Sequence, residues 1–369
     1  MDSAKFNKYQ QAAEVLNKTL EKAKELCNQM QNASYVCIFC DAMMNELLGK
    51  MYKKAKKGIS LPTCLSINDV LAHDSYTENN DYKIKEGDII RIEMACHIDN
   101  NVASIGDTIK VGDADWENSH IMTAAKKAME VGLMGISPNQ PITHFVKNLE
   151  KVAKCYNLNL VRRPRVFHEY DTQILFDWAF RDSENFNEPS WAVIKDHELE
   201  LEGSDLEEDE IDKNLEFSIG EVYHIIIAFT TSDKNASVCD KNPIIYQNTI
   251  NRYSLKLKVA REVLNKANKK YNNDCFKLSD IDMTESLARL GARECLNHGV
   301  LRCLRLVNVK NSDTVLLKCS IAVQSNSIYK LTGDKLDNIQ TSDKLTEELN
   351  NILKQSSKFN KRDDYWLSD

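Results

Sequence analysis

The sequence has no run approaching the roughly eighteen apolar residues that a membrane-spanning helix needs, and its opening, MDSAKFNKYQ, lacks the apolar stretch of a secretory leader. A cytoplasmic chain with no membrane partner is therefore expected, with the nucleus also open to it. Positive charge is not in excess either: 48 lysines and arginines face 55 acids, for a net charge of −7. That balance excludes a surface given over wholly to nucleic acid and leaves room for local basic patches. A disulfide framework is missing too, because the eleven cysteines are odd in number and scattered. Cys37 and Cys40 form one CxxC, but no second pair follows at finger spacing, so packing on a helix is the expectation for both.

What is present describes a folded chain, with 42% hydrophobic and 28% charged residues. Its 369 residues suit two or three domains or one large α/β unit. KYQQAAEVLNKTLEKAKELCNQM repeats apolar residues at helical spacing through Ala13, Leu16, Leu20, Ala23 and Cys27. A second helix is expected over VCIFCDAMMNELLGKMYKKAKK, ended by Gly58. Strand patterns follow in ISLPTCLSIN and DIIRIEMACHI, and helices in WENSHIMTAAKKAMEVGLM and in PITHFVKNLEKVAKCY, where Pro141 suits a first turn. The acidic segment 197–213 reads as a solvated loop. Beyond it, NRYSLKLKVAREVLNKANKKYNND is a basic helical segment, and SLARLGARECLNHGV a helix closed by Gly299.

VLLKCSIAV, residues 315–323, reads as a strand buried on both faces, yet Lys318 stands in its middle. An ammonium there must pair with a carboxylate, reach solvent along its stem, or lose its proton. EGDIIRIEMACHI (86–98) and IGEVYHIIIAFTT (219–231) also echo each other, each with Gly, an acid and an apolar strand. Two related halves would produce such an echo, and aligning Gly87 with Gly220 sets Glu93 opposite Ile226.

Several stretches in order, namely KYQQAAEVLN, CDAMMNELLGKMYKKAKKGISLPTCLSIND, EGDIIRIEMACHID, GEVYHIIIAF, RYSLKLKVAR and ARLGARECLNHGVL, resemble the proliferation-associated, ErbB-receptor-binding proteins. These are relatives of type II methionine aminopeptidase. The resemblance covers nearly the whole chain, residues 170–215 matching poorly. It implies an α/β (α+β) pita-bread fold, with 1–369 as a single aminopeptidase-like domain and 246–290 as an inserted basic helical subdomain.

In the active aminopeptidases two divalent metals sit in the cleft on four carboxylates and a histidine. Carried across, those five positions fall on Glu93, Ser104, His168, Ile226 and Lys318. Three of them offer a hydroxyl, a hydrocarbon and an ammonium, so the resemblance implies a non-catalytic relative with no metal or other cofactor. Lys318 would then stand beside Glu93 in place of a cation. His73 falls on the family's substrate-binding histidine, and without a metal-bound hydroxide it has only a structural part to play. No catalytic role is read for His97.

The partner implied is the large ribosomal subunit near the peptide exit tunnel, bound through ribosomal RNA by a monomer. One basic patch is Lys53, Lys54, Lys56 and Lys57, and another is Arg252, Lys256, Lys258, Arg261, Lys266, Lys269 and Lys270. A solvated helix face is the plain alternative for each. Two other functions compete: a protein adaptor using the cleft or the acidic loop, and a residual metallo-aminopeptidase built on Glu93, His168 and a cysteine such as Cys96.

Overall fold

In this computed structural model the residues described are 3–161, 179–181, 216–233, 236–239, 241–249, 251–272, 274–325, 328–336 and 339–354. His168 and the acidic segment 197–213 lie outside them. The elements run α1 (Ser3–Leu26), α2 (Ala33–Gly49), β1 (Lys57–Ile67), β2 (Val70–Ala72), β3 (Ile89–Ile98), β4 (Asn101–Lys110), α3 (His120–Met134), α4 (Ile142–Cys155), β5 (Asn159–Leu160), β6 (Ala179–Arg181), β7 (Val222–Thr230), β8 (Ser237–Val238), β9 (Ile245–Asn248), α5 (Lys258–Tyr271), β10 (Cys275–Lys277), α6 (Glu285–Asn297), β11 (Leu301–Cys303), β12 (Val307–Asn308), β13 (Thr314–Val323), β14 (Ile328–Lys330) and α7 (Glu347–Leu353).

Apolar alternation along the strands builds one large antiparallel sheet, ordered β1-β3-β4-β13-β7-β5, with β14 on β13 and β6 on β7. On β3, Ile90, Ile92, Met94, Cys96 and Ile98 face a core shared with α1 and α2. On β7, Tyr223, Ile225, Ile227 and Phe229 belong to a second core that takes in α3, α4 and α7. The intervening residues of both strands, among them Arg91, Glu93, His97, His224 and Ile226, lie on the other face.

The sequence echo is a structural repeat. Gly87 and Gly220 both sit at positive φ, 86° and 83°, where a side chain is disfavoured. Gly87 N–H donates to Val111 O and Gly220 N–H to Val323 O, each at 2.8 Å. Return bonds run from Val111 N–H to Asp88 O and from Val323 N–H to Glu221 O, each at 2.9 Å. β3 with β4 therefore corresponds to β7 with β13, and the halves meet where β4 pairs β13 at Gly106 and Lys318.

The second helix ends at Gly49, well short of the expected Gly58. Tyr52 turns at φ 38°, and Lys57 Nζ reaches back to the carbonyls of Met51 and Tyr52, which closes the turn before β1 begins. Gly58 instead lies in β1, where a Cβ would stand 3.1 Å from Asp274 Oδ2 and 3.3 Å from His97 Nε2. Pro141 is the residue before α4 rather than within its first turn.

Between β7 and β13 the chain makes a separate small unit. α5 and α6 pack on the three-stranded sheet β10-β9-β11 around Tyr246, Ala260, Val263, Phe276 and Ala292. This unit contains strands as well as helices and runs over 245–303, past the 246–290 bounds read from sequence. Two partly buried contacts tie it to the body: Lys277 Nζ to Asp41 Oδ2 of α2 at 2.7 Å, and His97 Nε2 to Asp274 Oδ2 at 3.1 Å.

Candidate functional site

The strand VLLKCSIAV is buried throughout, and so is Lys318. The neighbouring Cys319 touches Met129 of α3, so period-two alternation turns Lys318 toward the opposite face. There its Nζ lies 3.6 Å from Glu93 Oε1, with neither side chain reaching solvent. Gly106 makes the approach possible: a Cβ at that position would stand 2.9 Å from Lys318 Cβ and 3.1 Å from Ile92 O. The other Glu93 oxygen accepts the backbone N–H of His73 at 3.3 Å. His73 is held at φ 68°, with its Nδ1 3.0 Å from Arg305 O, a polar contact that suits a structural part.

Ile226 registers directly opposite Lys318 and contributes only hydrocarbon. Ser104 makes its hydrogen bonds in an adjoining knot, its Oγ 2.9 Å from His224 Nδ1, which is also 2.8 Å from Ser320 Oγ. Burial, reinforced by the Lys318 charge, pushes His224 down from its ordinary 6.5 to about 3, so the imidazole is neutral. Arg91, two residues before Glu93, gives all its hydrogen bonds to carbonyls of Asn68, Val70 and Thr314, and burial lowers it to about 10. Neither His224 nor Arg91 was singled out from the sequence. Strand parity was the signal, since each stands two residues from a position already chosen, on the same face.

Two adjacent divalent metals need several anionic or imidazole donors. Among the described residues these positions supply one carboxylate, already facing an ammonium, with a hydroxyl and a hydrocarbon. They do not fit such a centre. No group of three or more His, Cys, Asp and Glu is placed to hold a metal among the described residues. Cys96 faces the α1 side, its Sγ 3.4 Å from Ala12 O, on the opposite face of β3 from Glu93, so those two are not brought together.

The basic residues divide into braces and free-facing cations. Arg261 donates to the carbonyls of Leu255 and Lys256, both at 2.8 Å, and so stiffens the entry to α5. Lys266 pairs with Glu262 at 3.0 Å, and Lys270 lies 4.9 Å from the Tyr271 ring centroid. Lys57 is held by the α2 turn, as described above. These four, expected to face a nucleic acid, also make contacts within the chain. Arg252, Lys256, Lys258 and Lys269 on the insert, and Lys53, Lys54 and Lys56 on the body, are exposed.

Residues 7–174 match the family described as Metallopeptidase family M24. ERBB-3 binding protein 1 of Solanum tuberosum is 29% identical over 92% of this chain and 84% of its own. Proliferation-associated protein A of Dictyostelium discoideum is 28% identical over 81% of this chain and 74% of its own. A solved structure of a thermophilic Arx1 shares the fold, with a TM-score of 0.76 at 22% identity, covering 98% of this chain and all of that one. These two relatives are named for binding and proliferation, whereas methionine aminopeptidases match shorter stretches, that of Archaeoglobus fulgidus at 25% identity over 42% of this chain and 50% of its own. With its two related halves on one antiparallel sheet, the chain has the pita-bread fold and is similar over most of its length to the ErbB-3-binding and proliferation-associated proteins, its first part matching the M24 metallopeptidases.

Proposed function

We propose that this chain works without catalysis, as a binding protein on the large ribosomal subunit, with the insert set against ribosomal RNA. The observation that carries the reading is Lys318, whose ammonium fills the place beside Glu93 where the fold's peptidases need a cation. With the cleft closed to that chemistry, the outward chemistry is the exposed cations Arg252, Lys256, Lys258 and Lys269. Such groups gain affinity for phosphates by releasing counterions, and a net-acidic protein can do this locally. A role in ribosome biogenesis, translation or dormancy would draw on the same surface.

The test is salt-titrated binding to purified large subunits. Replacing Arg252, Lys256 and Lys258 by alanine should weaken binding and flatten the slope of log K against log salt by about two to three units. Lys318→Met should leave that slope unchanged. Unchanged binding by the triple variant would move the contact elsewhere, to Lys53, Lys54 and Lys56 if their reversal abolishes it. Absence of binding by the unaltered protein would favour a protein adaptor. Stoichiometric metal after dialysis, with chelator-sensitive release of N-terminal methionine from a peptide, would overturn the non-catalytic reading.

A further inference from the structure

We propose that the insert carries a stacking site for an unpaired RNA base on the outer face of Tyr253. This rests on the RNA-binding reading above and gives it a ligand class, single-stranded RNA rather than duplex.

Tyr253 lies in the extended stretch between β9 and α5 and is 43% exposed. Its inner face is covered by the imidazole of His298, with ring centroids 3.9 Å apart and planes 9° from parallel. That imidazole is itself fixed, since His298 Nε2 lies 3.3 Å from Glu294 Oε1 on α6. The backbone beneath is tied on both sides. Thr249 Oγ1 donates to Gly299 O at 2.6 Å, Asn251 Nδ2 to His298 O at 3.2 Å, and Leu255 N–H to Tyr253 O at 3.1 Å. Gly299 permits this approach, because it adopts φ 63° and a Cβ there would come within 3.2 Å of Asn251 Nδ2.

The result is an aromatic platform with one face covered and the other open, held before any ligand arrives. Exposed cations surround it in sequence: Arg252 on one side, Lys256 and Lys258 on the other. A flat ring between phosphate-seeking side chains is the arrangement that binds single strands, in which bases stack on aromatic faces while cations follow the backbone. A paired base inside a duplex keeps its faces against its neighbours and cannot use the platform. The ordinary alternative is that the Tyr253 and His298 rings merely staple the loop.

The probes are a fluorescent twelve-nucleotide single-stranded oligoadenylate and an RNA duplex of equal length. Tyr253→Ala should weaken single-strand binding about 5- to 150-fold, leave its salt slope unchanged, and leave duplex binding as it was. Tyr253→Phe should restore single-strand binding, since stacking needs the ring and not the hydroxyl. His298→Ala, which removes the backing ring, should give an intermediate loss. Thermal midpoints for all three variants should stay near that of the unaltered protein. Equal losses on single strand and duplex, or losses that follow a fall in midpoint, would assign the stack a structural role and overturn the proposal. No loss with Tyr253→Ala would overturn it as well. If large subunits still bind with their normal salt slope in either case, this site alone fails; if neither subunits nor either RNA bind the unaltered protein, the RNA-binding reading fails with it.

Discussion

The two halves of the sheet share a frame and differ in what they hang on it. Gly87 and Gly220 make the same turn and the same pair of backbone bonds, yet six residues on one half presents Glu93 and the other Ile226. Where β4 meets β13 the difference reverses: the first half offers Gly106, with no side chain, and the second the long Lys318. Glutamate and lysine thus come from opposite halves and meet across the seam, while glycine and isoleucine leave them space without adding charge. The frame rests on turn conformation and apolar alternation, which tolerate changes at the inward positions. Chemistry depends on a few side chains and can be replaced without disturbing the frame.

The largest effect should come from separating the cross-half pair. Lys318→Met leaves a buried carboxylate facing hydrocarbon and should cost about 3 to 5 kcal/mol in denaturant unfolding. Adding Glu93→Gln should recover part of that loss. Additivity within about 0.5 kcal/mol would mean that the halves do not communicate through these residues.

Next comes His224, on β7 of the second half. It is neutral when folded, with its value lowered from 6.5 to about 3, so the unfolded chain binds the extra proton first as pH falls. Its contribution should be complete above about pH 6.5, decline steadily below that and be gone near pH 3, an effect on the order of a few kcal/mol. His224→Asn should remove this part of the pH dependence, measured as unfolding free energy against pH.

Gly106→Ala should be smaller again, about 1 to 3 kcal/mol, as the new methyl forces Lys318 Cβ or the Ile92 carbonyl aside. In the Gly106→Ala, Lys318→Ala double variant the cost should shrink if crowding at the seam is its cause. Smallest and most diagnostic are Gly87→Ala and Gly220→Ala. A Cβ on Gly87 meets nothing within 4 Å, so only its positive φ resists, at about 1 kcal/mol. The same cost at Gly220, read from unfolding midpoints, would mark the turns as equivalent; a large disparity would break the comparison.

Much of this was legible because it is local or periodic. The strand holding Lys318, the helix before Gly299 and the paired strands after Gly87 and Gly220 follow from apolar patterning and the echo. That Glu93 would stand beside Lys318 came from the resemblance, which sets both on metal-ligand positions, and not from periodicity. The early end of α2 was not legible, because helical spacing continues through MYKKAKK while the Tyr52 turn and the Lys57 back-contact depend on where β1 begins. Nor could spacing tell which cations are braces: Arg261 and Lys256 look alike in RYSLKLKVAR, and only the fold of the loop brings two carbonyls to the guanidinium. The contacts of Lys277 with Asp41 and of His97 with Asp274 join residues more than 170 apart, which no local pattern records.

The insert also bears on how quickly the chain can fold. Thr230 and Thr314, which face each other at one end of the β7 and β13 pair, are 84 residues apart in sequence. The insert's own ends lie side by side, Tyr246 opposite Cys303, so once formed it short-circuits most of that span. Bringing β7 and β13 together then means closing roughly a third of the original loop, which lowers the entropic barrier by about 1 kcal/mol. An insertion that folds early shortens the search for the sheet it interrupts, and the long detour in the chain becomes a kinetic aid to joining the second half.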